Sequence, residues 1–380
     1  MVDSSEGTTP KKRGSRDLTG IISPLQFVVG VSLALIAGAI ILLIFREDPI
    51  KVYDALLQGA LGSKRTFAET LLSSTPLIFG GLAVAVGFRC GLFNMGVEGQ
   101  IVLGGLVAAY IGYAWPLPPG IHLLVALLGG TIIGAFWGAI PGYLKAFHRI
   151  HEVITTIMLN YIAFAIASYM VAVGGPMKAE GQLPTSPKIL ESAMLQRILP
   201  GTRLSSGIFI ALFVTVLIYF FLFQTRLGYK LRVVGFNAEA AEFAGISSKF
   251  MTIFAMFISG GLGGIAGAVE VLGVHYRFYE NFSPGYGWDA IAVALLGLLH
   301  PVGVVAAALL LGALRSGSVA MQALANISKD MVYILTALII FFTAMNQTMR
   351  PFLERRLSRL NLRSSSEAAP SQDELQEQAR

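Results

Sequence analysis

The chain has 380 residues, of which 54% are hydrophobic and only 13% are charged, and its mean hydropathy is +0.68. A water-soluble chain of this length needs more charge on its surface, so the composition excludes an ordinary soluble domain and predicts a membrane protein. The net charge of +6 comes without a basic, aromatic-rich patch for nucleic acid, and the one cysteine, Cys90, excludes a disulfide framework or a multi-thiolate metal site.

In chain order, residues 1–23 are polar and basic and predict a cytoplasmic tail. The first apolar stretch, near 24–45, is long enough to cross a bilayer and lacks a small-residue cleavage site, so it is interpreted as a signal anchor. Residues 50–70 mix polar and apolar positions, which is typical of an amphipathic helix on the membrane surface. Nine further spans are predicted near residues 71–88, 101–114, 122–144, 153–173, 207–224, 250–272, 288–299, 301–319 and 329–345.

The predicted fold is therefore all-α, a polytopic transmembrane helical bundle of about ten spans with interrupted helices. The bundle forms a permease domain over residues 24–345, and a cytoplasmic tail follows at 346–380. Ten spans place both tails on one side. The Lys and Arg counts are then 16 on the tail side and 10 on the other, which favours cytoplasmic tails.

A polar interruption separates the second and third predicted spans. Asn94, Glu98 and Gln100 lie there among glycines, at bilayer depth. Polar groups in hydrocarbon cost several kcal/mol unless they have partners or line water, and irregular backbone is tolerated only against protein or a cavity. We interpret the segment as the lining of a translocation path. The alternative is that Glu98 pairs with Arg89 and fixes a re-entrant loop.

A second interruption, Phe282 to Asp289, has a similar layout, and each interruption follows a Gly-rich apolar helix. In the ten-span topology the two copies run in opposite directions, which predicts a possible inverted repeat around a site near the midplane. Asp289 is a second candidate for the path, although the aromatic residues around it are also typical of an interfacial belt. Asn160, alone in its span, is predicted to face the bundle interior, where it contacts either substrate or a neighbouring helix.

The polar stretch 225–249 is predicted to hold a short helix. Asn237 is a suitable N-cap, Glu239 lies in the first turn, and Gly245 is a suitable C′ glycine. A capped helix between two spans suits a surface that pushes against a partner. The same pattern is also typical of an ordinary solvated loop helix.

Sequence motifs for catalysis are missing. No G-x-x-x-x-G-K-[ST] or G-x-S-x-G occurs, so the chain is not predicted to be an enzyme or to bind a nucleotide by a P-loop, and no cofactor is predicted. His148, Arg149, His151 and Glu152 lack the H-E-x-x-H order and are interpreted as a solvated turn, not as a metal site.

Three runs of sequence, taken together, resemble one family. They are Gly91-Leu-Phe-Asn-Met-Gly-Val-Glu-Gly-Gln100, His151-Glu-Val-Ile-Thr-Thr-Ile-Met-Leu-Asn-Tyr-Ile162, and Thr225-Arg-Leu-Gly-Tyr-Lys-Leu-Arg-Val-Val-Gly-Phe-Asn-Ala-Glu-Ala-Ala241. The chain, over about residues 70–345, resembles the permease subunits of bacterial ABC importers. It is most similar to the nucleoside (guanosine-type) branch, which is related to ribose and branched-chain amino acid permeases.

The resemblance implies a mechanism and partners. Two permease subunits pair in the bacterial inner membrane, two cytoplasmic ATPase subunits dock on them, and an external lipoprotein delivers the nucleoside. Glu239-Ala240-Ala241-x-x-x-Gly245 is similar to the E-A-A-x-x-x-G coupling motif of bacterial permeases. The resemblance therefore assigns ATPase coupling to 225–249, with Gly235 and Asn237 included. A permease for ribose or another small polar solute, or an ion-coupled secondary transporter, are the alternatives.

Overall fold

A computed structural model describes residues 16–328, 330–342 and 345, with side chains from residue 29 onward. In this part of the chain the regular structure is helical, apart from two isolated β-bridges. The helices are α1 Arg16–Ile44, α2 Pro49–Leu61, α3 Lys64–Arg89, α4 Val97–Ala114, α5 Ile121–His148, α6 Glu152–Val171, α7 Gly207–Gln224, α8 Arg226–Phe236, α9 Ala238–Phe243, α10 Ser248–Glu270, α11 Tyr286–Leu296, α12 Pro301–Ala325 and α13 Met331–Phe342. A 3₁₀ turn, Glu191–Ala193, lies between α6 and α7.

The chain divides into two compact units. One consists of residues 1–45 together with 334–380, and the other is 46–333. The first unit contains α1, which begins at Arg16, inside the tail predicted for 1–23, because the apolar pattern already starts at Leu18. The tail predicted for 346–380 lies outside the described residues. The functional residues discussed below all belong to the second unit.

The all-α membrane fold predicted from the sequence is confirmed, and the count of ten spans is approximate. Within the described residues, seven helices are long and apolar enough to cross a membrane: α3, α4, α5, α6, α7, α10 with its extension, and α12. Three shorter apolar stretches, Val29–Ile44, Tyr286–Leu296 and Met331–Phe342, fall on the other predicted spans. The chain is therefore a multi-pass membrane protein.

The predicted amphipathic helix over 50–70 ends earlier than expected. Asp48 caps α2 by accepting a hydrogen bond from the Ile50 N–H at 2.9 Å, and Pro49 occupies the first turn. A new N-cap, Ser63, then starts α3, with a reciprocal Ser63–Thr66 capping box. The apolar face of α2 packs on α12, where a Cβ on Gly317 would lie 2.4 Å from the Leu56 carbonyl oxygen.

Small residues let the central helices approach closely. Along α5, Gly130, Gly134 and Gly138 repeat every fourth residue, and they meet Gly260 and Gly264 of α10. A Cβ on Gly264 would lie 2.2 Å from the Gly130 carbonyl oxygen, so no larger side chain fits there. Backbone contact of this kind is typical of membrane helix packing, because lipid offers no hydrophobic drive between helices.

The spans differ in how deeply they are buried. In α3, α4 and α10, 83%, 78% and 67% of the apolar window is buried, against 28%, 22% and 33% in α5, α6 and α7. The first three therefore form the centre of the bundle, and the other three present apolar side chains outward. Both predicted interruptions are next to the central helices, since 90–96 joins α3 to α4 and 276–285 follows the extension of α10.

The loop over residues 174–206 folds across the second interruption. Ser186 and Ile189 donate backbone hydrogen bonds to the carbonyls of Phe278 and Tyr276, at 2.8 and 2.9 Å. Arg203 pairs with Glu69 of α3, 2.7 Å between Nη2 and Oε2, and this hydrogen-bonded carboxylate raises the pKa of the guanidinium. The loop thus covers this end of the bundle.

Candidate functional site

The first interruption contains a buried hydrogen-bond network. Asn94 Nδ2 donates to Ser259 Oγ at 2.8 Å and to Gln100 Oε1 at 3.1 Å, while Asn94 Oδ1 accepts from the Gly96 N–H at 2.9 Å. Ser259 Oγ in turn donates to the Ala83 carbonyl at 2.6 Å. The network therefore joins the irregular link to α3, α4 and α10.

Asn160 of α6 forms hydrogen bonds to the backbone where the same link joins α4. Its Oδ1 accepts from the Gly99 N–H and its Nδ2 donates to the Met95 carbonyl, both at 2.8 Å. The Gly99 N–H and the Met95 carbonyl have no partner within a helix, because α4 starts only at Val97. The Asn160 side chain therefore supplies the hydrogen bonds that an unbroken helix would have made. Asn160 is 1% exposed and faces the bundle interior. The geometry is that of helix–helix hydrogen bonding, and substrate contact by Asn160 stays a prediction.

Glu98 joins the two interruptions. It lies in the first turn of α4, is 4% exposed, and its Oε2 accepts a hydrogen bond from the Gly287 N–H, near the start of α11, at 2.5 Å. The positive ends of two helices therefore favour the carboxylate. Arg89 is placed elsewhere, with its Nε donating to the Leu299 carbonyl at 3.0 Å. The expected alternative of a Glu98–Arg89 pair is not found, since the ion pairs of the described residues do not include it and each side chain has another partner.

The helices around the two interruptions also pack against each other. The helix after the first interruption, α4, contacts the helix before the second, α10, and the helix after the second, α11, contacts the helix before the first, α3. Each interruption is a helix, an irregular link and a second helix, and the second helices meet through Glu98 and Gly287. Before the second link, α10 continues as a π-helical segment, Val271–His275, a form that is often found at functional sites. An inverted repeat requires this crossed arrangement, and the repeat itself stays a prediction.

Asp289 pairs with a residue that the sequence did not connect to it. Its Oδ2 lies 2.9 Å from Arg315 Nε of α12, and both side chains are about one-fifth exposed. Arg315 also donates to the Pro284 carbonyl at 2.9 Å, and its guanidinium lies 4.7 Å from the centroid of the Tyr286 ring. Asp289 is therefore part of a charged contact that holds the second link against α12.

Glu270 is an ionisable residue of this region that sequence reasoning missed. It ends α10, is 4% exposed, and its Oε1 lies 3.4 Å from Nε2 of His275. Its position inside the predicted span 250–272 was a usable signal, since a carboxylate within an apolar span is a functional candidate by default. Glu270 is therefore a third largely buried carboxylate near the two interruptions, together with Glu98 and Asp289.

The helix predicted within 225–249 is present as α9, and both of its ends are as expected. Asn237 Oδ1 accepts from the Ala240 N–H at 3.0 Å. Gly245, at φ +76°, donates to the Glu242 carbonyl, and Ile246 donates to that of Ala241, each at 2.9 Å. This is a Schellman motif. Ala241 is fully buried, whereas Glu239 and Ala240 are exposed.

A further helix, α8, precedes α9 and was not predicted. Two glycines lower its helix propensity, but Leu231 and Val234 are buried and packing outweighs the propensity. Gly235 of α8 lies directly on the end of α3, where a Cβ would come 2.2 Å from the Arg89 carbonyl oxygen. Large apolar side chains next to α9 stay exposed, with Phe236 at 87% and Phe243 at 95%.

The turn around His148 and Glu152 is less solvated than expected. Glu152 is 5% exposed, and its Oε2 lies 2.8 Å from Lys145 Nζ. No cluster of three or more potential metal ligands occurs in the described residues.

Comparison with known proteins adds the family. The model of the branched-chain amino acid transport system / permease component matches residues 66–344. The guanosine ABC transporter permease protein NupP of Bacillus subtilis is 40% identical, with 88% of this chain and 95% of the relative covered. The nucleoside ABC transporter permease protein NupB of Lactococcus lactis subsp. cremoris is 34% identical, with coverages of 83% and 89%. The glucose ABC transporter permease protein TsgB13 of Haloferax volcanii is 33% identical, with coverages of 83% and 85%.

No solved structure gives a significant match to the chain. The family model nevertheless covers most of the chain, including both interruptions and α8–α9. The chain therefore belongs to the family of permease components of ABC transporters of the branched-chain amino acid type.

Proposed function

We propose that this chain is the permease subunit of an ABC importer that carries nucleosides across the inner membrane of a bacterium. The observation that carries the proposal is the close contact of Gly235 with the Arg89 carbonyl. This contact connects the exposed helix α9, through α8, to the end of α3, where the first interruption begins. Two of the similar proteins are named as nucleoside or guanosine permeases, which supports the substrate class.

In the proposed complex, separate subunits bind the substrate, form the membrane path and hydrolyse ATP. This chain and a second permease subunit form the path, two ATPase subunits dock on the cytoplasmic side, and an external lipoprotein delivers the substrate. The missing P-loop agrees with ATP hydrolysis on another chain. In this proposal α8 and α9 are cytoplasmic, and a ten-span topology places both termini on the same side.

The proposed coupling surface is α9 with its flanking residues. Glu239 and Ala240 face outward together with Phe236 and Phe243, and exposed aromatic residues of this size are typical of an interface. Asn237 and Gly245 hold the ends of α9, while Ala241 anchors it inward. A movement of α9 reaches α8 and then, through Gly235, the end of α3.

From α3 the movement reaches the path. The link after Arg89 leads to Asn94, whose bonds to Gln100 and Ser259 hold α4 and α10 together. We propose that opening the path exchanges these internal bonds, and those of Asn160 and Glu98, for hydrogen bonds to the hydroxyl and base groups of a nucleoside. Asp289 with its partner Arg315 flanks the same route.

A sugar is the second candidate substrate, since one similar protein is named as a glucose permease. Carboxylate and amide side chains recognise sugar hydroxyls as well as they recognise a ribose. Family membership favours both candidates over an ion-coupled secondary transporter.

Uptake measurements in the native host separate these substrates. A strain lacking this chain should lose high-affinity uptake of labelled guanosine and recover it when the gene is restored. Excess adenosine or uridine should compete, and excess ribose or glucose should not. Loss of glucose or ribose uptake with unchanged guanosine uptake would contradict the nucleoside assignment.

A further inference from the structure

A basic cavity lies where α7 ends and α8 begins. Its volume is about 610 Å³, and it opens between the end of α7, α8 and the segment after α9. Its basic and apolar lining consists of Arg226, Lys230, Arg232, Phe223, Val233 and Ile246. Most of this lining lies within the proposed coupling stretch 225–249, but the coupling proposal gives no role to its basic side chains.

The positive charges of the cavity have no acidic partner in the described part of the chain. None of Arg226, Lys230 and Arg232 forms an ion pair there, although five other ion pairs are present. Arg232 Nε is buried without a hydrogen-bond partner in the protein, and its guanidinium lies 5.2 Å from the centroid of the Phe223 ring. Three cationic side chains without an acidic partner make the cavity suited to an anionic ligand with strong acceptor oxygens.

The cavity continues an apolar surface of α7. The large outward side chains of that helix are about half exposed or more, namely Phe209 59%, Phe213 62%, Val216 50%, Leu217 49% and Phe220 54%. Phe213, Leu217 and Phe220 share one helix face with Gln224, by i, i+3 and i+4 spacing, and Gln224 lines the cavity. A ligand in the cavity therefore has an exposed apolar helix face immediately beside it.

We propose that the cavity binds the phosphate headgroup of an anionic phospholipid, whose acyl chains lie along the exposed face of α7. Basic pockets at the ends of membrane helices suit such headgroups, and apolar and anionic parts occur together in a lipid but not in free phosphate. The lipid site follows from the cavity and α7 alone. That the leaflet is the cytoplasmic one rests on the proposed coupling role of α9.

Lipid exchange on the intact complex tests this site. The complex is purified through a tag on this chain, placed in phosphatidylcholine nanodiscs and titrated with phosphatidylglycerol of the same acyl chains, with native mass spectrometry counting bound lipid. Each basic side chain changes affinity for an anionic lipid about fivefold. The Arg226→Gln/Lys230→Gln variant should therefore bind phosphatidylglycerol about 25-fold more weakly.

The matched control is Lys64→Gln/Arg65→Gln, which removes two exposed charges at the other end of α3. It should leave phosphatidylglycerol binding unchanged. If the double variant at 226 and 230 does not assemble, Lys230→Gln alone should show the fivefold loss. Equal binding by the wild-type protein and the cavity variants would overturn the proposal.

Two further measurements distinguish a bound lipid from free phosphate and from a protein partner. Inorganic phosphate at millimolar concentration should not displace the lipid, and full displacement would assign the cavity to free phosphate. Loss of the ATPase subunits from the Arg226→Gln/Lys230→Gln complex, with unchanged lipid binding, would assign the charges to a protein interface and overturn the lipid site. Since the readout is bound lipid, failure of the nucleoside assignment leaves this result unaffected.

Discussion

The carboxylate of Glu98, in the first turn of α4, accepts a hydrogen bond from the backbone N–H of Gly287, near the start of α11. The two residues are 189 positions apart and belong to the two separate interruptions of the bundle. This bond places the positive ends of two helices around the Glu98 carboxyl group near the centre of the protein. It explains why an ionisable residue is retained inside an apolar bundle, and it ties the two halves of the proposed path together.

Gly287 should not accept a side chain. A Cβ there would lie 2.3 Å from the Glu98 backbone nitrogen and 2.8 Å from Glu98 Oε2, so Gly287→Ala has to separate α4 from α11. Overpacking of this kind costs about 1–3 kcal/mol, which corresponds to roughly 2–10 °C in melting temperature. A thermal-shift measurement on the purified protein checks this. Gly261→Ala of α10 is the control, since its Cβ would meet nothing closer than 3.4 Å, and an equal shift would contradict the close contact.

Substitutions of Glu98 should show whether its hydrogen bond or its charge stabilises the junction with Gly287. Glu98→Ala leaves the Gly287 N–H buried without a partner, at a cost of about 1–3 kcal/mol, whereas Glu98→Gln keeps an acceptor. The Ala variant should therefore melt several degrees lower, and the Gln variant should stay close to the wild type. If the two variants melt together below the wild type, the charge and not the hydrogen bond stabilises this junction.

Asp289 and Arg315 should be energetically coupled. Either Asp289→Asn or Arg315→Gln leaves the other charge largely buried without its partner, and the double variant removes both charges. We expect the double variant to lose about 1–3 kcal/mol less than the sum of the single variants. Melting temperatures of the four proteins, measured under one condition, form the cycle. Additive losses would show that the ion pair contributes nothing.

Gly235→Ala should uncouple ATP hydrolysis from transport without removing the ATPase subunits. A Cβ at this position would clash with the Arg89 carbonyl at 2.2 Å and push α8 away from α3. Guanosine uptake should fall at least tenfold, while ATPase subunits still co-purify. Gly245→Asn is a suitable control, because φ is +76° there, nothing lies within 4 Å of a Cβ, and Asn tolerates this conformation. Normal uptake by the Gly235→Ala protein would contradict the coupling route.

Local features of the chain could be predicted from sequence, because their partners are near in sequence. The ends of α9 depend on Asn237 and Gly245, which bond within three residues. The polar interruption around Asn94 was visible because polar groups in an apolar run are costly. The Asn94–Gln100 bond, six positions apart, lies inside that interruption.

Long-range partners could not be predicted in this way. The contacts of Glu98 with Gly287 and of Gly235 with Arg89 depend on how distant helices cross, and apolar periodicity contains no information on crossing. The helix α8 was missed because its sequence has a weak helix propensity. The helix forms because Leu231 is buried against neighbouring helices. The alternative of a Glu98–Arg89 pair rested on nearness in sequence, and the structure gives each of the two side chains a different partner.

The energy source of uptake tests the central claim most directly. Right-side-out membrane vesicles are prepared from cells with the wild-type chain or with Glu239→Lys, and labelled guanosine uptake is measured with ATP inside, with a nonhydrolysable ATP analogue inside, or with an imposed proton or sodium gradient. We predict ATP-dependent uptake by the wild type, none with the analogue or with a gradient alone, and none by Glu239→Lys, whose chain should still be present in the membrane. Uptake driven by a gradient without ATP, or unimpaired uptake by Glu239→Lys, would contradict the account.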